Sequence, residues 1–500
     1  MVQKVLVLGG GSAGFMAALA LKVKLPALQV RVVRSPDIGI IGVGEGSTVV
    51  LTEFLHKFLG VGRKKFHEVA NPTWKLGLRF VWGPRPYFNY TFGPGLEVRA
   101  HRSLPKPTGF YCEDDVEYTD PYSAVMTHDR AFARKDGLPA FHEAVAYHFE
   151  NERFVRFLEG AARACGVEVA DDTVEHVLHD DGGVAGLALK SGTTETADLY
   201  VDASGFRSEL LGGALGEPFV GYKSSLFCER AVVGGWDRKD SPDPQDQIVK
   251  PYTTCETMDS GWAWQIEHEH RINRGYVYCP DFVTDEDAER EFRAKNPRVG
   301  PTRVVRFVSG RYQRAWVKNV VAIGNASGFV EPLEATALGV IAIQCRHLAE
   351  TLLGSDREPR PTQAAAFNRF HALNWDGIRD FLAVHYRFNT RLDTPFWRHC
   401  REHTDLGGAA EMAAFYAENG PDGYWGPTVL NNVHDQFTAS SYITMMTGMK
   451  APFRRTWAPT AEQAAQFDQF RQKFKAVALA AMTVREALAA IRSPRWTWPT

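Results

Sequence analysis

Gly9, Gly11 and Gly14 stand in GxGxxG register directly behind an apolar run, Val5 to Leu8, and ahead of a helical stretch, Phe15 to Lys22. Each glycine in that spacing serves a separate purpose. The three permit a tight turn, close approach of backbone to a pyrophosphate, and close packing of helix on strand. The helix N-terminus, with Ser12 and Ala13 in its first turn, then faces the phosphates of a dinucleotide. A second strand, Val30 to Val33, completes the strand, turn, helix, strand unit. Its end carries Arg34 where an acidic residue usually meets the ribose hydroxyls. Either Asp37 substitutes or the adenosine end is held differently, and Arg34 taken alone suits NADP.

Other stretches have residue types that can do chemistry. "IGVGEGST" (41–48) sets Gly42, Gly44 and Gly46 around Glu45, either a loop pressed on something flat or phosphorylated or a plain turn. "GNASGFVEPLEATALGVIAIQ" begins at Gly324 and Asn325, behind a strand from Val320 to Ile323. Pro332 is placed to open a helix there, with Glu331 and Glu334 in a first turn whose dipole favours carboxylates. Capping alone explains both acids; the amides of Thr336 and Ala337 suit an anion if the turn is open. In "NPTWKLGLRF" (71–80), Trp74, Leu76, Leu78 and Phe80 alternate with Lys75, Gly77 and Arg79. The run reads as one strand, and on that pattern alone Lys75 is an ordinary solvated lysine. "HCREH" (399–403) formally matches a zinc-peptidase HxxEH. No third ligand is nominated, so no metal is expected. His268 and His270 in "IEHEHRI" read as incidental strand positions.

These residues need a large scaffold, and the chain supplies one. Its 500 residues are enough for two or three domains or one large composite. A formal net charge of -2 gives no reason to expect nucleic acid or an anionic membrane. Seven scattered cysteines without a CxxC argue against a disulfide framework or zinc site and for a reducing compartment, hence a cytoplasmic protein. The opening apolar run is split by glycines, unlike a signal peptide, and no segment offers the roughly 20 apolar residues that span a bilayer. Thr173 to Leu199 reads as a three-stranded meander whose last strand runs into "YVDASGF", a second turn of cofactor-contacting type. Beyond about Glu350 the pattern is mostly helical, with Asp393 or Thr394 as N-cap before Pro395.

Taken in order, the pieces resemble the flavin-dependent halogenases of the tryptophan-halogenase type. The resemblance is carried by "GGGSAGFMAA", "SPDIGIIGVGEGS", "TWKLGLRF", "AYHFE", "LYVDASGFRSELL", "GNASGFVEPLEATAL", "IRDFLAVHY" and "DTPFW". It implies an α/β fold of the FAD-binding GxGxxG kind, like class A flavin monooxygenases, with a mixed sheet. Residues 1–350 would form the FAD-binding module with an interleaved substrate-side sheet, and 351–500 a mostly helical region over the substrate site. FAD, used as FADH2 from a separate flavin reductase, would be held by Gly9, Gly11, Ser12, Ala13, Gly14, Gly42, Val43, Gly44, Glu45, Gly324 and Asn325. A halide, chloride or bromide, would bind at Thr336 and Ala337. With molecular oxygen it would become hypohalous acid, passed through a tunnel to the essential lysine, which falls on Lys75. The catalytic glutamate falls on Glu334, and the two are expected to converge on one enclosed space. The substrate would be a small, electron-rich, indole-like ring, and the enzyme a monomer or homodimer.

Three positions depart from the family's pattern. The WxWxIP signature, thought to separate flavin from substrate, is Trp262-Ala263-Trp264-Gln265-Ile266-Glu267, with Glu in place of Pro. Ala335 and Ala337 replace a Ser and a Gly, and Arg34 replaces the acidic residue. The alternatives are an aromatic flavin monooxygenase, a non-catalytic FAD-binding relative, and a plain NADP oxidoreductase.

Overall fold

The computed structural model describes residues 1–39, 44–141, 144–430, 436–454 and 457–498. Two compact units are each assembled from three segments. The first comprises Met1–Asn71, Phe149–Gly221 and Phe307–Trp375; the second comprises Pro72–His148, Tyr222–Arg306 and Asp376–Thr500. The C-terminal helical region therefore contributes to both.

The first unit is built on a six-stranded sheet in the order Glu168–Asp171, Gln29–Arg34, Lys4–Leu8, Leu199–Asp202, Val320–Ala322, Trp316–Val317. All pairings are parallel except the last. A parallel sheet needs both faces covered, and its strands are accordingly apolar runs. The helix Ser12–Lys24 is buried along Gly14 to Leu21 and packs against the helices Asn151–Ala164 and Ala337–Gly354. The meander forms as Val174–Asp180, Gly183–Leu189 and Thr194–Glu195. The "YVDASGF" strand is no part of it, however. Leu199–Asp202 pairs in parallel beside Lys4–Leu8, where four consecutive buried residues suit a central position.

The second unit holds a seven-stranded sheet in the order Arg303–Arg306, Arg230–Asp237, Arg271–Tyr278, Gly261–Glu267, Tyr252–Met258, Gly77–Val81, Phe88–Thr91. Its pairings are antiparallel apart from Tyr252–Met258 with Gly77–Val81. The run 71–80 is two strands rather than one: Thr73–Lys75 pairs with Ala146–Phe149, and Gly77–Val81 enters the large sheet. Leu76 between them donates its N–H to Pro251 O at 2.7 Å, which turns the chain from one sheet to the other. His268 and His270 lie past the end of Gly261–Glu267, not on a strand; His268 is buried and His270 exposed.

The helices expected after 350 are present, including Pro361–Phe388, Ala439–Gly448 and Ala461–Ala480. Thr394 is the N-cap of Pro395–His403, its hydroxyl accepting from Trp397 N–H. Among the described residues no helix is long and apolar enough to cross a membrane. Nor could any group of three or more His, Cys, Asp and Glu among them hold a metal ion.

Candidate active-site residues

Lys75, Trp262, Trp264 and Ile266 belong to the second unit; the other predicted site residues belong to the first. In the first, the glycine turn has the geometry its spacing demands. Gly9 takes φ +121°, and a Cβ there would sit 2.2 Å from Ala203 O. A Cβ on Gly14 would stand 1.9 Å from Gly9 O, so the helix can approach the strand only through glycine. Gly11 is different: a Cβ there meets nothing within 4 Å. The open face of the turn therefore lies at Gly11, the N-cap, where the helix has neither a side-chain cap nor a first-turn acid. Ser12 and Ala13, both half-buried, begin the helix beside it. Its unsatisfied amides and dipole suit a pyrophosphate.

Arg34 is already occupied. Its guanidinium donates to Asp171 at 2.6 Å and to Glu159 at 2.7 Å. These carboxylates raise its pKa against the opposing effect of burial. A side chain so neutralised argues against a 2′-phosphate partner. Asp202, in the second glycine turn, is likewise engaged by the fold. Its carboxylate accepts from Leu210 N–H and Leu211 N–H at 2.8 and 2.9 Å.

Of the glycine-rich stretch around Glu45, Gly42 and Val43 lie outside the described residues. Gly44 takes φ +84°, and Glu45 accepts from Asn151 Nδ2 at 2.9 Å. Burial pushes the Glu45 carboxyl up to about 6, against the opposing effect of that hydrogen bond. The folded protein then holds a proton more tightly than the unfolded chain, so stability falls as pH rises from about 4.5 to about 6. Glu45→Gln should flatten that fall by on the order of 1 kcal/mol. Melting temperatures of cofactor-free wild type and variant between pH 4 and 7 will show it.

The segment behind Val320–Ala322 differs from its sequence expectation. Pro332–Glu334 is a single 3-10 turn, and the α-helix starts at Ala337. Ala335 causes the break: it takes φ +56°, a left-handed conformation no helix can pass through. Glu331 and Glu334 thus precede the helix rather than forming its first turn, and both are buried. Thr336 becomes the N-cap without a side-chain cap, leaving the amides of the first turn to another acceptor. Upstream, Gly324 and Asn325 form a 3-10 turn. Gly324 packs so closely that a Cβ would lie 3.1 Å from Ala13 Cβ. Gln344 staples this turn, accepting from Gly324 N–H and donating to Ser327 Oγ, each at 2.8 Å.

In the second unit Lys75 is not solvated. It is 0 % exposed and its neighbour Trp74 1 %, so both faces of Thr73–Lys75 are covered. The Lys75 Nζ lies 5.6 Å from the centre of the Phe92 ring. Trp262, Trp264 and Ile266 alternate along Gly261–Glu267 and share one face of the sheet. The Trp264 ring packs against Gly275, where a Cβ would come within 2.1 Å of it.

Glu267 points to the opposite face, with Ala263 and Gln265. It forms an ion pair with Arg238, the two side chains 0 % and 2 % exposed, and accepts from Gln265 Nε2 at 2.7 Å. Arg238 also donates to His268 O at 2.8 Å and Ile248 O at 3.0 Å. The backbone carbonyl of Glu267 accepts from Thr73 Oγ1 at 2.6 Å. This network escaped the sequence: a Glu inside a buried strand signals that a cation must exist, but not that Arg238 is the one.

A family model for tryptophan halogenase matches residues 4–466 of the chain. The tryptophan 7-halogenase RebH of Lentzea aerocolonigenes is 30 % identical over 492 residues, covering 90 % of this chain and 89 % of that one. Among solved structures, the lanthipeptide tryptophan 5-halogenase MibH superimposes with a TM-score of 0.88. It is 37 % identical and covers 98 % of this chain and 93 % of its own. Xcc4156, a flavin-dependent halogenase from Xanthomonas campestris, gives a TM-score of 0.84 at 27 % identity, covering 98 % of each chain.

Proposed function

The chain belongs to the tryptophan halogenase family, flavin-dependent enzymes, and on that premise we propose that it halogenates a tryptophan-like ring with hypohalous acid handled by Lys75. The observation that carries the proposal is the burial of two charged side chains, Lys75 at 0 % and Glu334 at 2 % exposure. Keeping an ammonium and a carboxylate from water is costly and is characteristic of functional groups.

The residues present fit FAD. The Gly9–Gly14 turn is open where a pyrophosphate would lie and closed where helix meets strand. Gly44, Glu45, Gly324 and Asn325 are the further residues assigned to the cofactor, with Gly42 and Val43. Reduced FAD, delivered by a separate reductase, supplies the electrons with which molecular oxygen converts a halide into hypohalous acid. The amides of Thr336 and Ala337, at the true start of the helix Ala337–Gly354, hold chloride or bromide. Lys75 binds the hypohalous acid through its ammonium N–H, or takes up the halogen as a haloamine. Glu334 polarises the oxidant or accepts the proton the ring releases. Trp262, Trp264 and Ile266, on one face of their sheet, form a wall of the substrate region or its barrier. Because Glu267 lies on the other face and is neutralised by Arg238, its exchange for proline leaves that wall's side chains undisturbed.

The test is a reductase-coupled assay, in bromide and in chloride, of indole, tryptophan and a tryptophan-containing peptide, read by mass spectrometry. A halogen-bearing product that requires halide is expected. Hydroxylated product without halide would establish a monooxygenase instead, and no turnover on any ring a non-catalytic relative.

A further inference from the structure

The strand face that carries Lys75 also carries a histidine the mechanism above does not use. Thr73–Lys75 runs antiparallel to Ala146–Phe149, with Thr73 opposite His148 and Lys75 opposite Ala146. Residues two apart share a face, so Thr73, Lys75, Ala146 and His148 project to the same side. Lys75 and His148 are diagonal neighbours there, within reach of long side chains. His148, like Lys75, is 0 % exposed. Its Nε2 is fixed 2.8 Å from Thr253 Oγ1, on the adjoining strand Tyr252–Met258.

Among the described residues, the charged and titratable groups that act on the imidazole are Lys75, His268 and Arg238, together with the backbone of Glu267. Arg238 is held in its ion pair with Glu267. Burial first, and then the positive charge of Lys75, keep His148 well below the ordinary histidine range and hence neutral near pH 7. Two cationic side chains diagonal to each other inside the protein repel, with no water to screen them.

We infer that His148 is a positioning residue for Lys75: an imidazole, anchored by Thr253, that lines the lysine's side of the strand and fixes the lysine side chain's place there. The inference rests on the role proposed for Lys75. When His148 does take a proton, Lys75 must release its own or the two side chains must separate. Either disturbs the group that handles the oxidant. His148 therefore sets an acid limb of activity, below the ordinary histidine pKa because its own is lowered.

The test compares His148→Gln, an uncharged acceptor at every pH, with His148→Leu. Halogenation is measured from pH 5 to 9 with chemically reduced FAD, alongside FAD affinity and melting temperature. His148→Gln should stay within about threefold of wild type at pH 7.5 and lose the acid limb. His148→Leu should lose about tenfold or more with FAD affinity unchanged. Equal losses in both variants at all pH values, tracking a lowered melting temperature, would reduce His148 to a structural role and overturn the inference. A second readout needs no turnover. In cofactor-free protein, the His148 ring proton followed by NMR should titrate at higher pH in Lys75→Met than in wild type, and an unmoved titration also overturns it. Undiminished halogenation by Lys75→Met would end the proposed function of Lys75, and this inference with it. That outcome is separate from failure at His148 alone.

Discussion

Lys75→Ala should lower halogenation by about a thousandfold or more, about 4 kcal/mol of activation free energy, while FAD binding and peroxide release persist. The size of the effect follows from where the ammonium sits. At 0 % exposure it has no bulk water to replace it as a donor. Hypohalous acid that is neither bound nor held as a haloamine diffuses and reacts unselectively, so the effective molarity of a positioned oxidant is lost. FAD binding should survive because every residue assigned to the cofactor belongs to the first unit, whereas Lys75 belongs to the second. Truncation also removes buried methylenes, which by itself destabilises by a few kcal/mol. Lys75→Met is therefore the companion variant: it retains the volume and apolar stem without the charge, and it should be as inactive as Lys75→Ala. Retained halogen-specific turnover in either would remove Lys75 from the mechanism.

Gly14→Ala should prevent the first unit from folding. The new methyl would lie 1.9 Å from Gly9 O and 3.0 Å from Gly9 C, both main-chain atoms. Gly9 cannot retreat, because its N–H donates to Val33 O at 2.8 Å and its own Cβ position is closed by Ala203 O. Nor can the helix withdraw, since Gly14 to Leu21 is buried throughout. Overpacking against rigid backbone belongs to the largest class of single-residue effects, about 4 kcal/mol or more. The expected result is insoluble protein or a melting temperature lowered by many degrees. Gly11→Ala, at the middle glycine of the same motif, is the contrast. It should melt with wild type and bind FAD about tenfold more weakly, because its methyl enters only the space a pyrophosphate would use. Equal destabilisation by both substitutions would contradict the division of labour among these glycines.

The glycine turn was legible in the sequence because its constraint is local: a helix can approach a strand this closely only without a Cβ, at fixed spacing. The first two strands of the meander and the C-terminal helices were legible for the same reason, as periodicity and caps lie within each segment; the parallel pairing of Leu199–Asp202 with Lys4–Leu8 was not. Pro332 misled because proline favours the first turn of a helix, but a single left-handed residue, Ala335, outweighs that preference. Lys75 was unreadable from alternation alone. The pattern holds across 74–80, yet the chain changes sheets at Leu76, and both sides of the short strand are covered by segments far away in sequence. Glu267 with Arg238, and His148 with Lys75, are juxtapositions of that long-range kind. The resemblance to a family pointed to Lys75 and Glu334; it also covered His148, in "AYHFE", but only the strand pairing placed that residue diagonal to Lys75.

The interleaving of segments has a consequence for biosynthesis. On the ribosome, the strand Lys4–Leu8 gains Gln29–Arg34 early but must wait for Leu199–Asp202 on its other edge, and that strand waits in turn for Val320–Ala322. Gly77–Val81 likewise emerges long before its parallel neighbour Tyr252–Met258. Nascent chains therefore carry apolar, half-paired edges through most of translation, so productive folding should depend on chaperones that shield them and fragments cut at 350 should aggregate.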